Sequence, residues 1–458
     1  MRLSSSTTSY SSGSLLVVVV TWFFLQTAYA FVLQSQSPPR TFGTSQQRLG
    51  KSVISRYLSE LESSSVDNQV DANDNPSPRN DATTSTSPLV SLIPSFPQNY
   101  TLVSPAADIL ELQPDQRLVC IGDVHGDFEA LQEFLTLAGV YSNNDTVDGG
   151  IQWTGGNTIL VQCGDILDRG SQELACFSLL TQLSQLAVND GGQVICLFGN
   201  HEAMNSLGLF QYATSDSEYE RLLAPSIDQS LDTRDWRIQY VGNQPARWAA
   251  YEPGGLLANS LLANMKVAVQ VGRTVCVHAG LTVDHLNDHG GISGMNQEAQ
   301  EWVREVVSTN VTINNQGNYT DLRQAMVEAH ARQQHYIDTC PTFLSGGIGA
   351  SSPLWMRDYS SPNDMPPKNV DAQKMINAAL AKLDADRMVM GHTVQSQING
   401  ALNGKAWRVD VGASRGVVAG TPEVLQVQLV NGTEVVSILT KSGKVPSSER
   451  QVTAFVNM

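Results

Sequence analysis

The sequence predicts an α/β (α+β) fold, a layered β-sandwich flanked by helices and carrying helical cap insertions, and three observations lead there. Apolar strand-like runs alternate with amphipathic stretches between residues 117 and 199. The three runs in that region, and a later one at 386–393, end in Gly followed at once by Asp, Asn or His. The later runs have little helix between the last of them, which calls for a second, partly antiparallel sheet.

Taken in order, "RLVCIG" from Arg117 reads as a strand, and "DFEALQEFLTLAG" as a helix with Phe128, Leu131, Phe134 and Leu135 on its apolar face. "NTILVQCG" is the next strand, "SQELACFSLLTQLSQLAV" the next helix and "GQVICLFG" the third strand. Between His201 and His278 the chain carries "EYERLLAPSID" and "RWAAYEPGGLLANSLLANM", which predict helices roofing whatever lies at the strand ends. The segment from Gln297 to Ile337 is expected to add a second helical part of that roof. "RTVCVHAG", "DRMVMGHT", "AWRVDVG" and "EVLQVQLV" supply the strands of the second sheet. The folded domain is expected over residues 110–445.

What precedes it is of another kind. Residues 1–30 have a basic start, an apolar stretch from Leu15 to Leu25 and Ala28-Tyr29-Ala30 before Phe31, the layout of a cleaved signal peptide and short for a membrane span. Residues 31–59 are rich in Ser and Gln, carry Arg40, Arg48, Lys51 and Arg56, and contain no acid, which is the composition of a transit peptide. Together they resemble the bipartite presequences of algae with secondary plastids; the expectation is plastid delivery, with secretion or the endomembrane lumen as the alternative and no stable membrane span in the mature form. Five N-x-[ST] sequons, at Asn99, Asn144, Asn310, Asn318 and Asn431, are compatible with the secretory route. Residues 60–95, Ser, Thr, Asn, Asp and Pro with few apolar groups, are expected to be a disordered linker, because they cannot bury enough surface to offset their ordering entropy.

Acidic residues outnumber basic ones 44 to 28, a net charge of -16, and no Lys/Arg run suggests a nucleic-acid partner. Cys120, Cys163, Cys196 and Cys276 lie in apolar runs and no C-x-x-C pair occurs, so the thiols are expected to be buried apolar groups rather than a zinc site or disulfide framework.

The polar residues at the strand ends carry the chemistry. "GDVHG" supplies Asp123 and His125, "CGDILDRG" supplies Asp165, Asp168 and Arg169, and "GNHE" supplies Asn200 and His201; "VHAGL" adds His278 and "MGHTV" adds His392. Polar groups at the carboxyl ends of neighbouring strands open into one crevice and can converge there. Glycines at 122, 126, 164, 170, 199 and 391 flank them, as sharp turns at strand ends require. Carboxylates, imidazoles and an amide without a thiolate suit Mn, Fe or Zn at a reactive rather than a structural site.

The motifs G-D-x-H-G, G-D-x-x-D-R-G and G-N-H-E, all intact, resemble those of the metallophosphoesterases, and within them of the phosphoprotein phosphatases. The resemblance spans Gly122 to about Gly412, and the three motifs together are highly specific. It implies that Asp123, His125 and Asp165 hold one metal and Asp165, Asn200, His278 and His392 a second, with Asp165 bridging. Two divalent or trivalent ions, Mn, or Fe with Zn, would share and acidify a water aimed at phosphorus. Arg169 and Arg357 would clamp the phosphate oxygens, and His201, oriented by Asp168, would protonate the leaving oxygen. Glu202 is expected to hold a ligand or backbone group beside them, with a plain salt bridge as the alternative.

Nucleases of the superfamily end with G-H-x-H; Gly391-His392-Thr393-Val394 lacks the second imidazole, which points away from nuclease chemistry. "WTGGNTILVQCGDILDRG", "GNHEAMN" and "SPLWMRDY" resemble the Shewanella-like protein phosphatases. "VDVGASRG" stands where the common Ser/Thr enzymes carry their toxin-gripping loop, so toxin sensitivity is not expected. The implied function is metal-dependent hydrolysis of phosphomonoesters on a phosphoprotein substrate. The alternatives are a symmetrical dinucleoside tetraphosphate hydrolase and, from a different class, a non-catalytic phosphoprotein-binding scaffold. The sequence leaves open the phosphorylated residue preferred and any regulatory subunit. His285, His289, His330 and His335 lie outside the motifs and are expected in surface or capping roles.

Overall fold

The computed structural model describes residues 101–103, 107–143, 150–214, 245–305, 333–346 and 351–452. The expected signal peptide, transit-like segment and linker lie outside the described residues, as do 215–244 and 306–332 of the expected roof. Among the described residues no helix is long and apolar enough to cross a membrane.

The described residues form fourteen strands, in chain order β1 Ile109–Leu110, β2 Arg117–Ile121, β3 Tyr141–Asn143, β4 Ile151–Trp153, β5 Ile159–Gln162, β6 Gln193–Cys196, β7 Ala268–Val271, β8 Thr274–Val277, β9 Arg387–Met390, β10 Asn399–Ala401, β11 Ala406–Arg408, β12 Val424–Val430, β13 Thr433–Thr440 and β14 Gly443–Pro446. The helices that bear on the site are α1 Phe128–Leu137, α2 Glu173–Asn189, α3 Asn200–Ser206, α4 Pro245–Tyr251, α5 Leu256–Ser260, α6 Val283–Asp288 and α7 Gly291–Val303.

One six-stranded sheet runs β14-β13-β12-β2-β5-β6 and the other β1-β7-β8-β9-β11-β10, with β3 and β4 forming a separate hairpin. Each sheet contains three neighbouring parallel strands: β2, β5 and β6 in the first, β8, β9 and β11 in the second. Their side chains are buried on both faces, which is why they read as continuous apolar runs rather than alternating ones. Between the sheets, the thiols of Cys120 on β2 and Cys276 on β8 lie 3.7 Å apart, and all six cysteines are buried and free. Beside the first sheet, α1 buries Phe128, Ala130, Leu131, Phe134 and Leu135, and Asp127 caps it by accepting from Ala130 N.

One grouping differs from expectation. "EVLQVQLV" was expected in the second sheet, but as β12 it pairs antiparallel with β2, Leu425 opposite Cys120, and extends the first sheet through β13 and β14. β5 covers only one edge of β2, and an adjacent long strand satisfies the backbone groups of the other. The run was legible as a strand; its partner was not.

Candidate active site

Three parallel strands from each sheet end at the same crevice. β2 is followed by Asp123 and His125, β5 by Asp165, and β6 by Asn200; β8 is followed by His278, β9 by His392, and β11 by Asp410. Close approach of these ends requires glycine at particular points. A Cβ on Gly199 would run into Asp165 Oδ1, and one on Gly391 into Asp123 Oδ1, so the residue before Asn200 and the residue before His392 both make room for a carboxylate. The turns themselves are strained. His125, Asp165, Asp168, Arg169 and His392 have φ of 44°, 56°, 69°, 66° and 67°, a left-handed backbone that side chains other than glycine rarely adopt.

Glu202 holds one of these turns. Its buried carboxylate accepts from four backbone N–H groups, those of Gly199 (2.8 Å), Asp165 (2.9 Å), Ile166 (2.9 Å) and Leu167 (3.1 Å). Gln162 fastens the neighbouring turn by donating to the carbonyls of Gly122 and Gly164. These bonds fix the main chain so that the side chains can be aimed.

Asp165 lies at the centre. His278 Nε2 is 3.3 Å, His125 Nε2 3.8 Å and His201 Nε2 3.9 Å from its Oδ2. The tautomers of two of these rings follow from their other nitrogens. His125 Nδ1 lies 2.9 Å from Leu167 O and His278 Nδ1 2.7 Å from Cys163 O; a carbonyl only accepts, so each Nδ1 carries the proton and donates. His125, its pKa lowered to about 4 by burial, is neutral and points its Nε2 lone pair at Asp165; burial would lower His278 too, but the charge of Asp165 and the bond from His278 Nε2 to it raise its pKa. Asn200 Oδ1 approaches His278 Nε2 at 3.0 Å and His392 Nδ1 at 2.9 Å, while His392 Nε2 is buried with no hydrogen-bond partner. The amide of His392 donates to both oxygens of Asp123, at 3.2 and 3.1 Å.

The carboxylate of Asp165, the amide oxygen of Asn200, the Nε2 lone pair of His125 and the unpartnered Nε2 of His392 thus converge on the crevice, a donor set that suits a cation. His125, Asp165 and His201 have ligand atoms close enough to share an ion, as do Asp165, His278 and His392. The carbonyl bonds on Nδ1 are the outer support that metal-binding imidazoles ordinarily have. Charge points the same way. Burial, with Asp410 and Asp165 nearby, pushes the Asp123 carboxyl well above its ordinary value, burial pushes Asp410 up to about 6, and burial with the charge of Asp165 pushes Glu202 up to about 7. Burial would also raise Asp165, but His278, His201 and His125 outweigh it and hold that carboxyl well below the usual range. Burial lowers His125 to about 4 against the pull of Asp165. Buried acids gathered beside the neutral ring of His125 fit positive charge supplied from outside the protein.

His201 faces the crevice through Nε2 and turns Nδ1 toward Asp168 Oδ2, 2.6 Å away. Burial opposes a charge on His201, yet Asp165 and the bond to Asp168 raise its pKa. At the mouth, Tyr212 spans two site residues: its carbonyl accepts from Arg169 N, the Arg169 guanidinium stands 5.2 Å from its ring centre, and the His201 ring lies 5.2 Å away. Arg169 and Arg357 are exposed, and Arg357 Nη1 donates to Thr393 Oγ1 (2.9 Å) beside His392.

The ten residues given metal, phosphate or proton-transfer roles from the sequence, and Glu202 with them, therefore gather round this crevice, where several further neighbours join them. Asp410 follows an apolar run like the other site residues, so its pattern could have found it. Tyr212, Glu173, Asn205 and Arg247 carry no such signal. Of the other histidines, His285 caps α6 by accepting from Thr282 N, while His289 and His335 pair with Glu298 and Glu305. His330 lies outside the described residues.

Comparison with known proteins bears on the same region. The family model of calcineurin-like phosphoesterases matches residues 116–396. The chain is 31% identical over 345 residues to Shewanella-like protein phosphatase 2 of Arabidopsis thaliana, covering 70% of this chain and 78% of that protein. It is 25% identical over 341 residues to Shewanella-like protein phosphatase 1 of Plasmodium berghei, covering 73% and 78%. Among solved structures, the cold-active protein-tyrosine phosphatase of a psychrophile Shewanella sp. matches with 19% identity and a TM-score of 0.48, over 76% of this chain and 83% of that one.

Proposed function

The chain belongs to the calcineurin-like phosphoesterases and to their Shewanella-like protein phosphatases, and we propose that its metal-dependent hydrolysis of phosphoproteins takes place in the crevice around Asp165. In this reading Asp123, His125 and Asp165 hold one cation and Asp165, Asn200, His278 and His392 the other. The observation that carries it is the pair of imidazoles, His125 and His278, whose Nδ1 protons are committed to carbonyls and whose Nε2 atoms are aimed at Asp165. Manganese, or iron with zinc, suits this mixed oxygen and nitrogen donor set. Bound there, the cations supply Lewis acidity to a phosphoryl oxygen and bring a water toward ionisation near neutral pH.

The protein's own groups do the rest. Arg169 and Arg357, both exposed at the mouth, grip the phosphate oxygens, where a planar guanidinium matches the geometry. By distance His201 could also serve as a ligand, but the carboxylate of Asp168 on Nδ1 favours a protonated ring. His201 accordingly gives the proton on Nε2 to the leaving oxygen, and Asp168 stabilises and orients the ring, a contribution of roughly 10²–10⁴-fold. The test is phosphate release by the full chain from paired phosphotyrosine and phosphothreonine peptides, with Mn²⁺ and with chelator. Release that requires the metal from at least one peptide is expected; release undiminished by chelator, or none with metal bound, would overturn the reading. We also propose plastid delivery by residues 1–59, on their composition; a fluorescent reporter fused behind them that is secreted or stays in the endomembrane system would overturn it.

A further inference from the structure

Behind His201, on the side away from the crevice, Arg247 of α4 is 2% exposed and donates to a cluster of acceptors. Nη2 donates to Asp168 Oδ1 and to Glu173 Oε1, both at 2.8 Å, Nη1 to Glu173 Oε2 at 2.6 Å, and Nε to Asn205 Oδ1 at 2.6 Å. Each acceptor is itself tied to the His201–Asp168 pair. Asn205 Nδ2 donates to Asp168 Oδ1 (3.0 Å) and to the His201 carbonyl (2.8 Å), and Glu173 Oε1 accepts from the backbone N–H of Asp168. Phe210 and Tyr251 lie against the guanidinium, 5.7 and 5.9 Å from its carbon.

The consequence is geometric. Arg247 and Asn205 occupy Oδ1 of Asp168, so Oδ2 is the oxygen left to accept from His201 Nδ1. The carboxylate cannot rotate without breaking two buried bonds. Asp168 also has a left-handed backbone, φ 69°, which its neighbours must hold in place. We infer that Arg247 is a positioning residue for proton donation: it fixes the Asp168 carboxylate, and through it the His201 ring, in the orientation that delivers a proton to the leaving oxygen. The inference rests on His201 being that acid. Arg247 belongs to the segment between the third motif and His278, so a helix expected only to roof the crevice also completes the machinery beneath it.

A leaving oxygen that is stable as an anion needs no proton, whereas one of high pKa does. The experiment compares kcat/KM of the metal-loaded full chain on nitrophenyl phosphate, which has a stable leaving group, and on phenyl phosphate, which has a poor one. His201→Asn serves as the reference, and metal content is measured for every variant. Arg247→Lys keeps the charge and loses the planar fork. It is expected to lose roughly 10–100-fold on phenyl phosphate with little change on nitrophenyl phosphate, a smaller copy of the His201→Asn pattern. An equal loss on both substrates, with the reference selective, would overturn the role of Arg247. Equal losses in His201→Asn itself would instead overturn the acid assignment and the inference with it. If Arg247→Lys does not fold, Glu173→Gln, which keeps the guanidinium but weakens its anchor, decides by the same selective or unselective loss.

Discussion

The two sides of His201 are built on opposite rules. On the crevice side, Asp165, Asn200, His125, His278 and His392 bring a carboxylate, an amide oxygen and three ring nitrogens together at separations of 2.9 to 3.8 Å. On the far side, each carboxylate oxygen of Asp168 and Glu173 meets a donor, from His201, Asn205, Arg247 or a backbone N–H. The first half gathers candidate metal ligands, and the second pairs its acceptors with donors of the protein itself. On the proposed reading the phosphatase uses both: gathered ligand atoms to take up metal, and a closed set of bonds to keep the His201 acid from drifting.

The sharpest way to break this contrast is Asp165→Asn, which removes charge from the one carboxylate that both groups of ligand atoms share. Phosphate release should fall by roughly 10³-fold or more, since single electrostatic groups of an active site are felt on that scale, and bound metal measured by elemental analysis should fall with it. A variant that keeps two equivalents of metal and full turnover would place the cations elsewhere. Next comes removal of metal itself. Cations that bind only the folded chain stabilise it by about 2.7 kcal/mol at a hundredfold excess over Kd, so chelation should lower the melting temperature of the wild type and have little effect on Asp165→Asn.

A smaller effect is expected where the open half depends on the closed kind of bonding. Glu202 accepts two backbone N–H groups at each oxygen, so Glu202→Gln must turn an NH₂ toward two donors in either orientation. Metal affinity should weaken roughly 10–100-fold, as it does when groups supporting metal ligands are changed. Titration with Mn²⁺ followed by activity would show it, and an unchanged curve would mean that the turn after β5 holds its shape unaided.

The two halves also differ in how far they were legible in the sequence. His125, Asp165 and Asn200 announce themselves because each follows an apolar run and a glycine, so the strand pattern that predicts the sheet also predicts where its ends converge. Arg247 and Glu173 are 74 residues apart and belong to no motif; their meaning exists only once α4 lies against the start of α2. A helical stretch containing an arginine reads as a solvated surface, and nothing local says that the guanidinium is buried. The partner of β12 was hidden for the same reason, because strand periodicity gives a strand's faces and not its neighbour. The left-handed backbone at Arg169 was hidden too, since arginine gives no hint of it.

The smallest expected effect separates two arginines that serve the same chemistry in different surroundings. Arg415 holds Asp127 as Arg247 holds Asp168, with Nε and Nη2 donating to the carboxylate at 2.8 and 2.9 Å. Its side chain is 58% exposed, however, and Asp127 also accepts from the backbone N–H groups of Ala130 and of Arg415 itself, which no side-chain substitution removes. Arg415→Ala should therefore cost about 1 kcal/mol or less, the range of exposed ion pairs. Arg247→Ala removes a buried guanidinium that the carboxylates of Asp168 and Glu173 share and should cost roughly 3–5 kcal/mol. Urea unfolding of the two variants at equal metal loading reads the difference directly. Equal losses would mean that the turn after β11, which Arg415 anchors to the cap of α1, is as tightly built as the network behind His201, and that closure extends to both sides of the crevice.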